Sequence, residues 1–482
     1  MPRVNLLISL IFIAFLATGS ARAELPNLNE DSLGGLTLDK EYQLGRNWVR
    51  SLRRQAPLME DPASTYYLEQ LVWKLAANSQ LNDLRLEIVT LDNATFNAFA
   101  VPGGIVGLHG GLLLAAENEG ELASVVAHEL AHLSQRHFAA QLEQQRQSKP
   151  LVLAGMLAGI LLSAADSDAG TAAITSTMAA NVGSQLAFSR RNEQEADRIG
   201  MQTLVASGYN PHAMPGMFSR LLDSYRFASR PPEFLSTHPV SESRIADSEG
   251  RAAQLAGNNK SPKQDPLLFS LIKARLTANY HSNPASLTAT LEDSLENAGN
   301  NVERQRLRYA LYVAAIYAGQ FDTADNAYKQ LDNKSRKHWL VQLTRAEKAI
   351  AIQDTATAIS ILRKQLSLYP DNFPLQQRLA EAYQQSGDAS SALKLYRKLA
   401  LKRPTDANIH YQIAEVYGLT GDIAGVHRSR IEYFLLTGDI DSALRQIKFA
   451  RRERGLSETD RQQLEQLELE AKEIQKQMKM EL

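Results

Sequence analysis

The second half of this chain is built on a period. Gly319, Gln353, Gly387 and Gly421 stand 34 residues apart, as do Ala324, Ala358 and Ala392 and the pair Pro370 and Pro404. A small residue at a turn and another in the facing helix, repeated at this interval, is the pattern of tetratricopeptide helix pairs. No single pair can bury its own apolar face, so the pairs must stack into a superhelix with a groove for partners. Gly438-Asp439 arrives half a period after Gly421, which predicts a shortened last repeat. The charged, amphipathic stretch from Leu456 to Leu482 is suited to capping the stack. Trp339, Tyr383 and Tyr417 are expected in the repeat core.

Ahead of the repeats, His128-Glu129-Leu130-Ala131-His132 carries H-E-x-x-H inside a run of good helix formers. Four residues apart, His128 and His132 project from one face of one helix and can share one Zn²⁺. Glu129, about 100° around that helix, is placed to act on a water held by the same ion, as the general base of a metallopeptidase does. The flanking Leu122, Val125, Val126, Leu130 and Leu133 are apolar, so the three polar side chains lie in a buried helix. Burying them costs several kcal/mol unless something pairs them.

Met1 to Ala23 reads as an export signal: Arg3, an apolar core from Leu6 to Leu16, and an A-x-A cleavage pattern at Ala21-Arg22-Ala23. With no cysteine in the chain, neither lipid attachment nor disulfides are expected. The balance of 52 basic against 53 acidic residues gives no nucleic-acid footprint.

Leu38–Ala56 and Pro62–Asn78 read as amphipathic helices. Leu84–Val89 alternates as a half-buried strand does, and 97–101 with 104–108 forms a hairpin turning at Pro102-Gly103. An exposed edge strand beside a zinc helix could pair with extended substrate. His109, at the end of this hairpin, reads as an ordinary surface histidine. Leu151–Ala165 is almost free of polar residues but too short for a span. It reads as a buried or lid-like helical hairpin, with peripheral membrane contact as the alternative.

A further helix follows at Arg191–Gly200. On a helical wheel Glu193 shares its face with Ala196, Asp197, Gly200 and Leu204, whereas Glu195 points away. Glu193 is therefore the expected third metal ligand, on a face whose small residues admit close approach to the H-E-x-x-H helix. Asp197, one turn on, is placed to orient a ligating histidine and so assist catalysis.

These motifs, H-E-L-A-H followed by R-R-N-E-Q-E-A-D-R-I-G, resemble the gluzincin family of CAAX-prenyl-protease-like zinc peptidases, whose third ligand is the Glu of E-x-x-A-D. The family's T-H-P element and following Arg match Thr237-His238-Pro239 and Arg244. In its layout the whole chain is similar to the periplasmic members of that family that carry tetratricopeptide repeats. The resemblance implies one Zn²⁺ per chain. It also implies outer-membrane β-barrel proteins as clients, helped to mature or degraded when stalled, and docking on the outer-membrane assembly machinery through the repeats. His238 is a candidate regulatory fourth zinc ligand, and Arg244 a candidate oxyanion or substrate contact.

The expected fold is α+β and predominantly α. Residues 1–23 form the signal, 24–253 a helical zinc-metallopeptidase domain with a small β-sheet, 254–265 a linker, and 266–482 an all-α repeat superhelix. Two functions are compatible with it: an active zinc endopeptidase, or a chaperone or adaptor with a structural metal. An intact Glu129 favours the first, since a purely structural site has no use for a base.

Overall fold

The computed structural model describes residues 37–146, 189–225, 233–256, 266–454 and 456–481. The signal, the Leu151–Ala165 stretch and most of the 254–265 linker lie outside these residues.

Helix α1 (Leu38–Gln55) buries Leu44, Trp48 and Leu52, a stripe at four-residue spacing. Helix α2 (Pro62–Ala76) begins where Asp61 caps it, the carboxylate accepting from Ser64 N–H at 3.0 Å, with Pro62 at the first helical position. Strands β1 (Glu87–Leu91), β2 (Ala98–Val101) and β3 (Ile105–His109) form one sheet in the order β1-β3-β2. β3 runs parallel to β1 and antiparallel to β2, Val101 facing Ile105 across the expected turn. That turn needs Gly103 and Gly104, at φ 84° and 77°. β1 begins three residues later than the alternation at Leu84 suggests.

Helix α3 (Gly110–Ala115) leads to α4 (Glu119–Ser134), the H-E-x-x-H helix, capped by Asn118. Then come α5 (His137–Arg146), α6 (Arg190–Ala206), α7 (Ala213–Tyr225), α8 (Glu233–Thr237) and α9 (Glu242–Leu255), the last carrying two residues of the linker expected at 254–265. Helix α6 lies so close to α4 that a Cβ on Gly200 would sit 3.1 Å from Ala127 backbone atoms and His128 Cα. The small face read from the sequence is the one that permits this approach.

From α10 (Pro266–Tyr280) onward the described residues are helical. They run through α11 (Pro284–Glu296), α12 (Asn301–Tyr317), α13 (Phe321–Gln330), α14 (Asn333–Lys337), α15 (Trp339–Ala351) and α16 (Thr355–Leu368). The series continues with α17 (Phe373–Gln385), α18 (Ala389–Lys402), α19 (Ala407–Thr420), α20 (Ile423–Leu436), α21 (Ile440–Ala450) and α22 (Glu458–Glu481). The periodic positions Gly319, Gln353, Gly387 and Gly421 all adopt left-handed backbone, at φ 70°, 62°, 85° and 74°. At three of the four turns an aspartate follows and caps the next helix: Asp354, Asp388 and Asp422. A left-handed residue ends one helix and an aspartate starts the next, which is why the pattern recurs. Ala324, Ala358 and Ala392 are fully buried where paired helices meet. Gly438 repeats the device at φ 70°, and α22 closes the stack by covering Ile431, Ile440 and Ile447 with Leu464, Leu467 and Ile474.

Gln353 is exposed and holds its backbone where a side chain costs about 1–2 kcal/mol. Gln353→Gly is expected to raise the urea-unfolding free energy by about 0.5–1 kcal/mol, after allowing for glycine's greater freedom when unfolded. A lower value would mean that the Gln353 side chain contributes a contact that outweighs the backbone strain.

The main apolar cluster is continuous from Met59 to Tyr417, joining Leu71 and Leu75 of α2 to Leu271, Ile272 and Leu276 of α10. Arg275 is buried in that seam and bonds both Asp61 and Glu347. Arg403 on the repeats pairs with Glu69 of α2. The repeats thus seat on α2, which itself packs on α4. Among the described residues no helix is long and apolar enough to cross a membrane.

Candidate metal centre and active site

Four buried side chains converge beside α4: His128 and His132 from α4, Glu193 from α6, and His238 just after α8. One donor atom from each lies within 4.8 Å of all the others. His128 Nε2 is 3.1 Å from His132 Nε2 and 3.4 Å from His238 Nδ1. Glu193 Oε1 is 3.3 Å from His132 Nε2 and 3.0 Å from His238 Nδ1, and its Oε2 is 3.5 Å from His128 Nε2. Donors about 2.0–2.1 Å from one tetrahedral zinc are spaced about 3.3–3.4 Å apart, and the five contacts above, at 3.0–3.5 Å, bracket that spacing.

Charge gives a second test of fit. The cluster buries three carboxylates, Glu129, Glu193 and Asp197, against one guanidinium, Arg244. Buried carboxylates are costly unless paired, and a divalent cation among the donors would pair them. Burial pushes the His132 imidazole well below its usual range, keeping a neutral lone pair available. Burial would raise Glu193, but His238, His128 and His132 outweigh it and hold the carboxylate well below its usual range. The residues present therefore fit a metal ion.

Glu129 stands beside the donor set. One oxygen, Oε1, is buried with no hydrogen-bond partner among the described residues and lies 3.6 Å from His238 Nε2. The carboxylate also receives the Ala100 backbone N–H of β2. Burial pushes its pKa up. Asp197 Oδ1 is 3.0 Å from His128 Nδ1, the orienting contact expected of it. Burial would raise the Asp197 carboxyl, but Arg244 and His128 hold it below its usual range.

Arg244 departs from its sequence reading. Its Nε and Nη2 each donate to Asp197 at 2.7 Å, and Nη1 donates to Pro239 O at 2.7 Å and lies 2.7 Å from Glu193 Oε2. A fork already engaged on two carboxylates and a carbonyl is not turned toward an oxyanion. It clamps α6 to the His238-Pro239 segment instead. His238 itself is not on an open loop. It is buried directly after the short helix α8, its N–H donating to Phe234 O at 2.7 Å and its ring packed on Phe234.

Three further differences concern position. His109 is buried, hydrogen-bonded to Thr95 Oγ1 and pushed down to about 4 by that burial, and is no surface residue. β2 is an edge strand next to Glu129, but all four of its residues are buried. His137, passed over in the sequence, is buried with Nδ1 3.0 Å from His132 Nδ1. The available signal was a third histidine five residues after His132 in a buried stretch.

The family described as Peptidase family M48 matches residues 62–252, and the tetratricopeptide repeat matches residues 349–416. Fold and site together define a metalloprotease carrying a helical repeat array. A beta-barrel assembly-enhancing protease of Escherichia coli K12 is 38% identical over 370 residues, covering 76% of this chain and 74% of that one. A protein of the same name from Yersinia pestis is 35% identical over 370 residues, covering 77% and 75%. A mitochondrial metalloendopeptidase of Schizosaccharomyces pombe is 32% identical over 232 residues, covering 46% and 64%. The chain belongs to the family of the beta-barrel assembly-enhancing proteases.

Proposed function

We propose that this chain is a periplasmic zinc endopeptidase that promotes assembly of outer-membrane β-barrel proteins and degrades those that stall. The observation that carries the catalytic part is the buried donor quartet with a carboxylate oxygen beside it that accepts no hydrogen bond among the described residues. His128, His132 and Glu193 would hold the ion, which when bound polarises a peptide carbonyl and acidifies a water. Glu129 takes the proton of the attacking water and delivers it to the leaving amine. Asp197 holds the His128 ring, and Arg244 holds Asp197 and Glu193 in register.

The names of the relatives support barrel proteins as clients, and the signal-like first 23 residues support export. The proposed boundary between peptidase and repeats is the segment 254–265. A cavity of 1240 Å³ lies between β1 and the repeats, lined among others by Ile88, Tyr317, Phe373, Arg378 and Arg403. Such a space is suited to an unfolded client segment, while the repeats dock on the assembly machinery. Peripheral membrane contact through the apolar sequence of Leu151–Ala165 is also proposed. The test is cleavage of casein or an unfolded outer-membrane barrel protein by the purified mature chain, with and without a chelator. Chelator-resistant cleavage, or none under any condition, would overturn the reading.

His238 is proposed as a latch. Its Nδ1 completes the donor quartet while its Nε2 faces Glu129, so the imidazole fills the space between the donors and that carboxylate. His238→Ala is expected to raise basal proteolysis several-fold, to the point of self-cleavage, with zinc kept by the other three ligands. A variant that keeps its metal but is inactive would instead make His238 a catalytic or substrate-binding group.

A further inference from the structure

The two histidines of α4 are supported differently. Behind His128 stands a carboxylate, Asp197, on Nδ1. Behind His132 stands another imidazole: His137 Nδ1 lies 3.0 Å from His132 Nδ1, and His137 Nε2 lies 3.3 Å from Glu195 Oε2. Two ring nitrogens at that distance share a single proton. With the His132 Nε2 lone pair turned to the donor quartet, the proton of that neutral ring is on Nδ1. His132 therefore donates, His137 Nδ1 accepts, and the His137 proton is on Nε2, donated to Glu195. The contacts admit one consistent tautomer for the pair.

The backbone is arranged to make this contact. On an uninterrupted helix a residue five positions on points about 140° away from His132. Here α4 stops at Ser134, Arg136 adopts φ 52°, and α5 restarts at His137 on a new course. Arg136 is held in that conformation by Glu41 of α1. His132 and His137 are both buried, whereas Glu195 is half-buried on α6.

We propose that His137, anchored by Glu195, is a positioning residue for the metal: it holds His132 in its Nδ1–H tautomer with Nε2 aimed at the ion. The inference rests on the zinc reading above. It gives a role to Glu195, which the helical wheel excludes as a ligand, and makes α6 support both histidines of α4, one through Asp197 and the other through His137.

The test measures binding of Zn²⁺ alone to the purified mature chain by competition with a chromophoric chelator, alongside the visible absorption of the Co²⁺-loaded protein. His137→Ala is expected to weaken Zn²⁺ binding about 10–100-fold and to shift the Co²⁺ bands. His137→Asn, whose Oδ1 can accept where Nδ1 does, recovers most of that loss. Glu195→Ala loses several-fold alone and nothing more in the His137→Ala background, because the relay is already cut. Wild-type affinity in His137→Ala, or full additivity in the double variant, overturns the proposal. Glu195 is half-buried, so Glu195→Ala folds even where His137→Ala does not, and unchanged affinity in it also overturns the proposal. A wild-type chain that binds no Zn²⁺ sinks the zinc reading itself, whereas wild-type binding matched by equal binding in the variants sinks only the relay.

Discussion

The Glu129→Gln variant is expected to keep its metal and lose proteolysis by about 10²–10⁴-fold. Glutamine preserves the shape of the side chain and can still meet the Ala100 N–H. What it lacks is a site for the proton of the attacking water. Glu129 lies outside the donor quartet, so metal content should be unchanged. Burial outweighs the attraction of His238 and His128 and raises the Glu129 pKa, so the neutral glutamine should leave the fold intact. The pair of measurements is metal content by atomic absorption and turnover of an unfolded substrate. Full metal with retained turnover would remove Glu129 from the mechanism.

Glu193→Ala is the second large effect: loss of at least about 100-fold in Zn²⁺ affinity, more than removing an outer support costs. Glu193 reaches three of the donor nitrogens and receives Arg244. Its removal leaves Arg244 half-paired and the histidines without their anionic partner. Glu195→Ala, two residues along, should keep the ion with a loss of no more than about 10-fold, since its contact is with His137 and not the quartet. Equal loss in the two variants would mean that α6 is rotated so that both carboxylates reach the ion. Loss in the Glu195 variant alone would exchange their roles.

Local geometry made much of this protein legible in one dimension. The 34-residue period reports a left-handed turn residue and a facing alanine, and the structure has both at those positions, including Gln353 where glycine would be expected. His128 with His132, and Glu193 with Asp197, are each confined to one helix, so residue spacing alone puts them on common faces. The same rule identified Gly200 as part of the contact face. These are short-range consequences of 3.6 residues per turn.

What needed the tertiary structure involves a change of chain direction or a contact between distant elements. His137 is invisible to a helical wheel because the wheel assumes that α4 continues, and Arg136 breaks it. Arg244 has five donors and no preferred target in sequence. Only the packing of α9 on α6 commits it to Asp197 and Glu193 rather than to substrate. Burial of His109, and of the β2 edge, depends on what lies over them in space. So does the joining of two sequence blocks into one apolar cluster through α2 and α10. The sequence by itself determined the helical repeats, the two helices that carry His128, His132 and Glu193, and the place of Glu129 on the first of them. Tertiary packing decided the burial of His238 among the donors, the clamp and the support behind His132, because each depends on a distance between residues whose separation along the chain carries no geometric information.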